Sequence, residues 1–294
     1  MSTTTQSTTT LNNGVTMPTL GFGAMTAPDQ TADVVAQALR TGYRLIDTAA
    51  GYRNEEQVGQ GIRDSGIDRD DIFVTTKLWL DDYGYDTTLR AFDTSATKLG
   101  LGHVDLYLLH WPVPSAFDAT LASYRAAQQL LADGRVRAIG VCNHKPEHLR
   151  RLVEAADVPP AVNQVELNPF FAQADARMTD DEYSTTTQAW SPLGGINVYR
   201  PKDPMAVRNP LEHPTITGIA TEHGKTPAQV VLRWHLQHGL RPIPRSTKPH
   251  RIAENFDVFD FTLTGEQVAA IDALDTGVRG GPDPDTIALD TFKR

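Results

Sequence analysis

Eight short apolar runs, many of them β-branched, alternate with amphipathic segments along most of the chain, and this alternation most restricts what it can fold into. The runs are YRLIDTA (43–49), IFVTTKL (72–78), VDLYLLHW (104–111), RAIGVCN (137–143), AVNQVEL (161–167), TTQAWSPL (186–193), RPIPRST (241–247) and FDVFDF (256–261). Each has the length and composition of a strand. Helical periodicity and helix punctuation fill the intervals. Val34, Val35, Ala38 and Leu39 share one face ahead of Gly42, and Leu121 to Ala132 repeats the device before Gly134. Pro146 stands where a first helical turn begins. Thr226-Pro227 reads as an N-cap followed by a first-turn proline, and Gly239 closes that segment. Thr264 and Gln267 have capping-box spacing.

Consecutive parallel strands need a long crossover, which a helix supplies, so strand–helix alternation implies an all-parallel sheet. For a chain of 294 residues the expected solution is a closed (β/α)8 TIM barrel. An open, doubly wound sheet is the alternative, and it brings a glycine-rich turn after its first strand. GFGAM lacks the third glycine of that turn, and GQGIRD lies within a helical stretch. Asn13-Gly14, within Leu11–Met25, is a hairpin signal because both residues tolerate positive φ. The hairpin is expected to close the bottom of the barrel. Residues 1–10 (MSTTTQSTTT) are expected to form a disordered tail and residues 11–294 a single barrel domain. The proline-bearing stretch 200–214 reads as a long loop near the site.

Composition excludes several classes of function. The net charge of −9 disfavours nucleic acid or an anionic membrane as partner. No run approaches the roughly 18 apolar residues of a membrane span, and the first ten residues lack the basic and apolar regions of a signal peptide. Cys142 is the only cysteine, so no intrachain disulfide forms, which suits a reducing compartment. The expectation is a cytoplasmic protein acting as a monomer on a small molecule.

In a barrel, chemistry gathers at the C-terminal ends of the strands. Asp47 ends the first run with Tyr52 just beyond it, Lys77 ends the second, and His110 then Trp111 end the third. Each residue alone has an ordinary structural explanation, but together they form a chemical unit. A phenol is a weak acid at neutral pH. A neighbouring ammonium favours the phenolate and makes the hydroxyl a better proton donor. Asp47 would keep a buried Lys77 charged and in place, and a neutral His110 can donate to a carbonyl oxygen. This is apparatus for protonating a carbonyl oxygen while something else attacks its carbon. No side chain donates hydride, so a nicotinamide cofactor is the natural attacker.

At these residues the sequence resembles the aldo-keto reductase family. The segments that carry the resemblance are LIDTAAGYRNEEQVG, TTKLW, DLYLLHWP, AIGVCN, AVNQVELNP, AWSPLG and IPRSTKPHRIAENFDVFDFTLT. It looks closest to bacterial members that reduce small ketones and keto-sugars such as 2,5-diketo-D-gluconate. The resemblance implies that Asp47, Tyr52, Lys77 and His110 form a catalytic tetrad with Tyr52 as general acid. It implies NADPH as cofactor. Asn143 and Gln164 would hold the carboxamide and Trp190 would stack on the nicotinamide, with Cys142, Ser191 and Leu193 in the same set. Arg245, Ser246, Thr247 and Arg251 would surround the 2′-phosphate, and Glu254 and Asn255 would contact the adenine. Met25, Tyr52, His110 and Trp111 would line the substrate pocket.

The chain departs from the family pattern in four places. Cys142 stands where serine is usual, Arg245 where lysine is usual, and Met25 where many members have an aromatic. The stretch ADARMTDDEYSTTTQ is unlike the family. Two other readings of the same residues are a non-catalytic NADPH-binding sensor or regulatory subunit, which has no need of all four tetrad groups, and a lyase using Lys77 as a Schiff base. His144 and His148 have the spacing of a metal pair, but Pro146 between them reads as a surface helix start, so no metal site is expected. His235 and His238 read as surface or packing residues.

Overall fold

The computed structural model describes residues 6–194 and 209–293. An antiparallel pair, β1 (Thr8–Thr10) and β2 (Thr16–Pro18), comes first. The strands β3 (Phe22–Gly23), β4 (Leu45–Asp47), β5 (Phe73–Leu78), β6 (Val104–Leu109), β7 (Val136–Cys142), β8 (Val162–Glu166), β9 (Thr186–Trp190) and β10 (Arg241–Pro242) then form one parallel sheet in chain order. The sheet closes on itself: Gly21 N–H donates to Pro242 C=O and Gly23 N–H to Pro244 C=O, both at 3.0 Å. This is the (β/α)8 barrel that the alternation predicts. Gly21 permits the closure, since a Cβ there would stand 2.5 Å from Leu45 Cδ2 and 2.7 Å from Ile243 Cγ2.

The helices that pack outside the strands follow the sequence signals. Helix α1 (Pro28–Thr41) buries Val34, Val35, Ala38 and Leu39 and ends at Gly42. It is followed by α2 (Glu55–Ser65), α3 (Tyr85–Leu99), α4 (Phe117–Ala132), α5 (Pro146–Ala155), α6 (Ala174–Glu182) and α7 (Pro214–His223). In α8 (Pro227–Gln237), Thr226 accepts from the Gln229 amide and Gln229 reciprocates, and Thr264 and Gln267 do the same for α10 (Gly265–Asp272). Between these two lies α9 (Pro249–Phe256). Among the described residues, no helix is long and apolar enough to cross a membrane.

The hairpin lies at the bottom of the barrel, as expected. Leu11 and Met17 join Leu45, Phe73, Leu106, Leu108 and Val162 in one buried cluster. Asn12 donates to Pro160 C=O (3.0 Å) and Asn13 to Arg137 C=O (2.9 Å), at the N-terminal ends of β8 and β7. The pair nevertheless begins at Thr8, inside the segment read as a disordered tail. Threonine is β-branched and suits a strand, and the Ser7 and Thr19 hydroxyls meet at 2.6 Å.

The run 256–261 is not a strand. Phe256 ends α9, and Val258 is buried among side chains of the helical layer. The Phe256 ring packs on Tyr43 with centroids 4.9 Å apart. Its apolar alternation therefore records burial without pairing. The missing barrel strand is β3, two residues long and too short to carry a period. Within the expected loop 200–214, residues 200–208 lie outside the described residues. Pro210–Glu212 forms a short 3-10 turn and α7 begins at Pro214.

Candidate active site

The C-terminal ends of the strands surround a cavity of about 480 Å³. Asp47, Tyr52, His110, Trp111, Asn143, Gln164, Trp190, Ser191, Leu193, Met25 and Arg245 all line it. The backbone is strained around this rim. Among the described residues, five non-glycine positions have positive φ; Asn143 (61°) and Ser191 (46°) line the cavity and Arg53 (56°) directly follows Tyr52. Such conformations cost energy and persist where packing holds them.

Lys77, at the end of β5, is fully buried. Its ammonium has three protons, and there are three acceptors: Asp47 Oδ1 at 2.5 Å, Thr48 C=O at 2.9 Å and Tyr52 Oη at 3.5 Å. Burial is the largest single influence and lowers the lysine pKa, but Asp47, Tyr52 and Cys142 together outweigh it and the net direction is upward, so Lys77 stays charged. Tyr52 is pushed up to about 12, with burial raising it most and Lys77 partly offsetting that. The expected acidifying influence of Lys77 is therefore present but smaller than desolvation. Because Tyr52 Oη accepts from Lys77, its own proton is left to point elsewhere. The His110 ring stands edge-on to Tyr52, with centroids 5.7 Å apart, and edge-on to Trp79 at 5.0 Å.

The amides on the following strands are also held. Asn143 donates to His110 C=O at 3.0 Å and accepts from Trp190 Nε1 at 2.8 Å. Gln164 Nε2 donates to Asp47 Oδ2 at 2.8 Å. These bonds tie the amide pair to Asp47 and His110 and fix the indole that forms one wall.

Several expected positions fall outside this lining. Cys142 is buried in the barrel interior near Leu106 and Leu108, and burial pushes its thiol pKa up. Thr247 borders a separate hollow beside Asp33 and Arg40. Ser246 Oγ accepts from the Lys248 amide at 3.1 Å. Arg251, Glu254 and Asn255 lie on α9, with Arg251 exposed and Asn255 buried. Arg245 links the two regions: it lines the cavity and donates to Met25 C=O at 2.8 Å.

The sequence reading missed Trp79 and Phe292, which also line the cavity. Trp79 was legible, since it follows Lys77 at strand spacing in TTKLW. Phe292 carried no signal. Its ring lies 5.8 Å from both Trp79 and Trp111. Glu166 anchors the segment that delivers it. This fully buried carboxylate accepts from the amides of Gly280 (2.9 Å) and Gly281 (2.8 Å). Gly281 passes close to Trp190, where a Cβ would stand 2.7 Å from Cη2.

The histidine pair is not a surface feature, because His144 and His148 are both buried. His148 Nδ1 accepts from the Lys145 amide at 3.3 Å, so its proton is on Nε2, facing Asp285 Oδ1 at 3.2 Å. Lys145 pairs with Asp283 at 2.7 Å and with Asp285, which pins the C-terminal segment to α5. His235, buried as well, is paired through Nε2 with Pro192 C=O at 2.9 Å.

The model of the aldo/keto reductase family matches residues 18–276. The chain belongs to that family. The aldo/keto reductase assignment agrees with curated relatives. The chain is 52% identical to morphine 6-dehydrogenase of Pseudomonas putida over 96% of both chains. It is 43% identical to glyoxal reductase of Bacillus subtilis over 98% of this chain and 99% of that one. Among solved structures, a Bombyx mori aldo-keto reductase in complex with NADP superposes with a TM-score of 0.88 at 35% identity, covering 96% of each chain. The protein is an oxidoreductase of carbonyl groups.

Proposed function

We propose that this aldo/keto reductase reduces small aldehydes and ketones to alcohols with NADPH, and that Tyr52 delivers the proton. The observation that carries this reading is the saturation of Lys77. With all three ammonium protons directed to Asp47, Thr48 and Tyr52, the phenol is an acceptor toward Lys77 and a donor toward the cavity. His110 stands beside it to orient the carbonyl oxygen. Lys77 stays positive through the reaction and stabilises the phenolate that proton transfer leaves behind.

The donor set fits a nicotinamide. Both N–H groups of Gln164 are engaged with protein acceptors, so its Oε1 is what it offers a ligand. Asn143 has one N–H left after the bond to His110 C=O. One acceptor and one donor side by side match a primary carboxamide, and Trp190 offers a flat face for the ring. The bound cofactor supplies hydride to the carbonyl carbon. The residues of this chain hold the ring, exclude water and move the proton at Tyr52 Oη. Arg245, Ser246, Thr247 and Arg251 are the candidates for the 2′-phosphate, and Glu254 and Asn255 for the adenine. Trp79, Trp111 and Phe292 make one side of the cavity apolar, which favours a compact carbonyl with an apolar substituent over a polyhydroxylated sugar.

The test is consumption of reduced nicotinamide with a panel of aldehydes and ketones, run beside Tyr52→Phe. The variant should lose about 10²–10⁴-fold in kcat, the usual value of a positioned general acid, with NADPH affinity unchanged. Full turnover in Tyr52→Phe would remove it as proton donor.

A further inference from the structure

Gln188 lies on β9, two residues before Trp190 and one layer deeper in the barrel. It is fully buried and does not line the cavity. Its Oε1 accepts from Gln164 Nε2 at 2.7 Å, while the second proton of that nitrogen goes to Asp47 Oδ2 at 2.8 Å. The orientations of both amides follow from charge. Asp47 is ion-paired with the Lys77 ammonium at 2.5 Å and can only accept. The atom of Gln164 that faces Asp47 is therefore its nitrogen. Gln188 must then present oxygen, because the opposite orientation would set two NH2 groups against each other. The acceptor end of Gln188 is engaged, while its Nε2 has no hydrogen-bond partner among the described residues.

We infer that Gln188 is a positioning residue for the nicotinamide carboxamide. By taking one proton of Gln164, it keeps that amide tied to Asp47 and leaves Gln164 Oε1 facing the cavity as acceptor for the carboxamide N–H. This inference rests on the cavity being a nicotinamide site. Without the Gln188 oxygen, Gln164 keeps its bond to Asp47 but has a buried proton with no acceptor, and its amide can swing about that single bond and move its oxygen off the ligand.

The experiment compares two ligands on the purified full chain by calorimetry. One is NADPH. The other is adenosine 2′,5′-bisphosphate, which has the phosphate but no carboxamide. Gln188→Met, with Gln188→Asn as the alternative if Met prevents folding, should weaken NADPH about five- to tenfold, the effect of one hydrogen bond, and leave the bisphosphate unaffected. Gln188→Glu keeps an acceptor oxygen in place and should bind NADPH like the parent. Gln188→Met added to Gln164→Met should cost nothing beyond Gln164→Met alone, because Gln188 acts only through Gln164. Unchanged NADPH affinity in Gln188→Met, equal weakening of both ligands, a loss in Gln188→Glu or additive losses in the double variant each overturn the inference. A parent protein that binds neither ligand overturns the functional reading itself.

Discussion

Asp180, in the last turn of α6, shows how a single residue links burial to solution behaviour. It is buried, accepting from Asn163 Nδ2 at 2.9 Å and Thr187 Oγ1 at 2.6 Å. Burial raises its pKa more than these bonds lower it, and it is pushed up to about 7 from 3.8. The folded state thus keeps a proton that the unfolded chain releases. Stability falls as pH rises from roughly 4 to 7, and Asp180→Asn, which does not titrate, should be more stable than the parent by a few kcal/mol at roughly pH 8 but not at pH 4. Urea denaturation at the two pH values checks this, and an equal effect at both would contradict it. Arg251 makes the second prediction at this scale. Arg251→Ala should weaken NADPH by about tenfold or more while leaving NADH nearly unchanged, since only NADPH has the 2′-phosphate for which Arg251 is the candidate charge-assisted partner. Equal losses for the two cofactors in a binding titration would remove Arg251 from the phosphate site.

At the scale of elements, the sequence was most legible where a strand was long enough to show a pattern. Strands β5, β6, β8 and β9 lie within runs named from composition, and β7 begins one residue ahead of its run. β10 is shortened to Arg241–Pro242 because Pro242 and Pro244 have no N–H for a ladder. FDVFDF misled because periodicity reports which side is buried, whatever covers it. Strand spacing also depends on residues that composition does not single out. Gly140 in β7 pairs with Leu108, and a Cβ there would stand 2.4 Å from Val162 C=O. Gly140→Ala should force β7 and β8 apart and cost about 1–3 kcal/mol, as overpacking does. A denaturation midpoint equal to that of the parent would show that the barrel absorbs the methyl group freely.

At the scale of the molecule, the cavity is finished by chain far from the strands whose ends surround it. Glu166 holds Gly280 and Gly281, Lys145 holds Asp283 and Asp285, and Phe292 comes to rest against Trp79 and Trp111. Phe292→Ala should raise KM for carbonyls with an aromatic substituent by about tenfold, the value of a modest apolar contact, and should change kcat much less. The same KM for parent and variant across small and aromatic aldehydes would show that Phe292 does not meet the substrate.

The sequence by itself determined the alternation of strand and helix, hence the barrel, and the polar residues that end the strands. Both are set by local spacing: a period of two or of 3.6 decides which side chains share a face, and the end of a parallel strand decides which rim they reach. That is why Asp47, Lys77, His110, Asn143, Gln164 and Trp190 could be named together. The tertiary structure decided what depends on residues far apart in the chain. The two-residue β3 became a strand only because β4 was there to pair with it and Pro244 to accept from Gly23, and Thr8–Thr10 only because Thr16–Pro18 lay alongside. Gln164 acquired one orientation only when Asp47 and Gln188 both reached it. No local pattern encodes such contacts, because the ordering entropy of joining distant segments is repaid by the packing of the whole barrel and not by either segment alone.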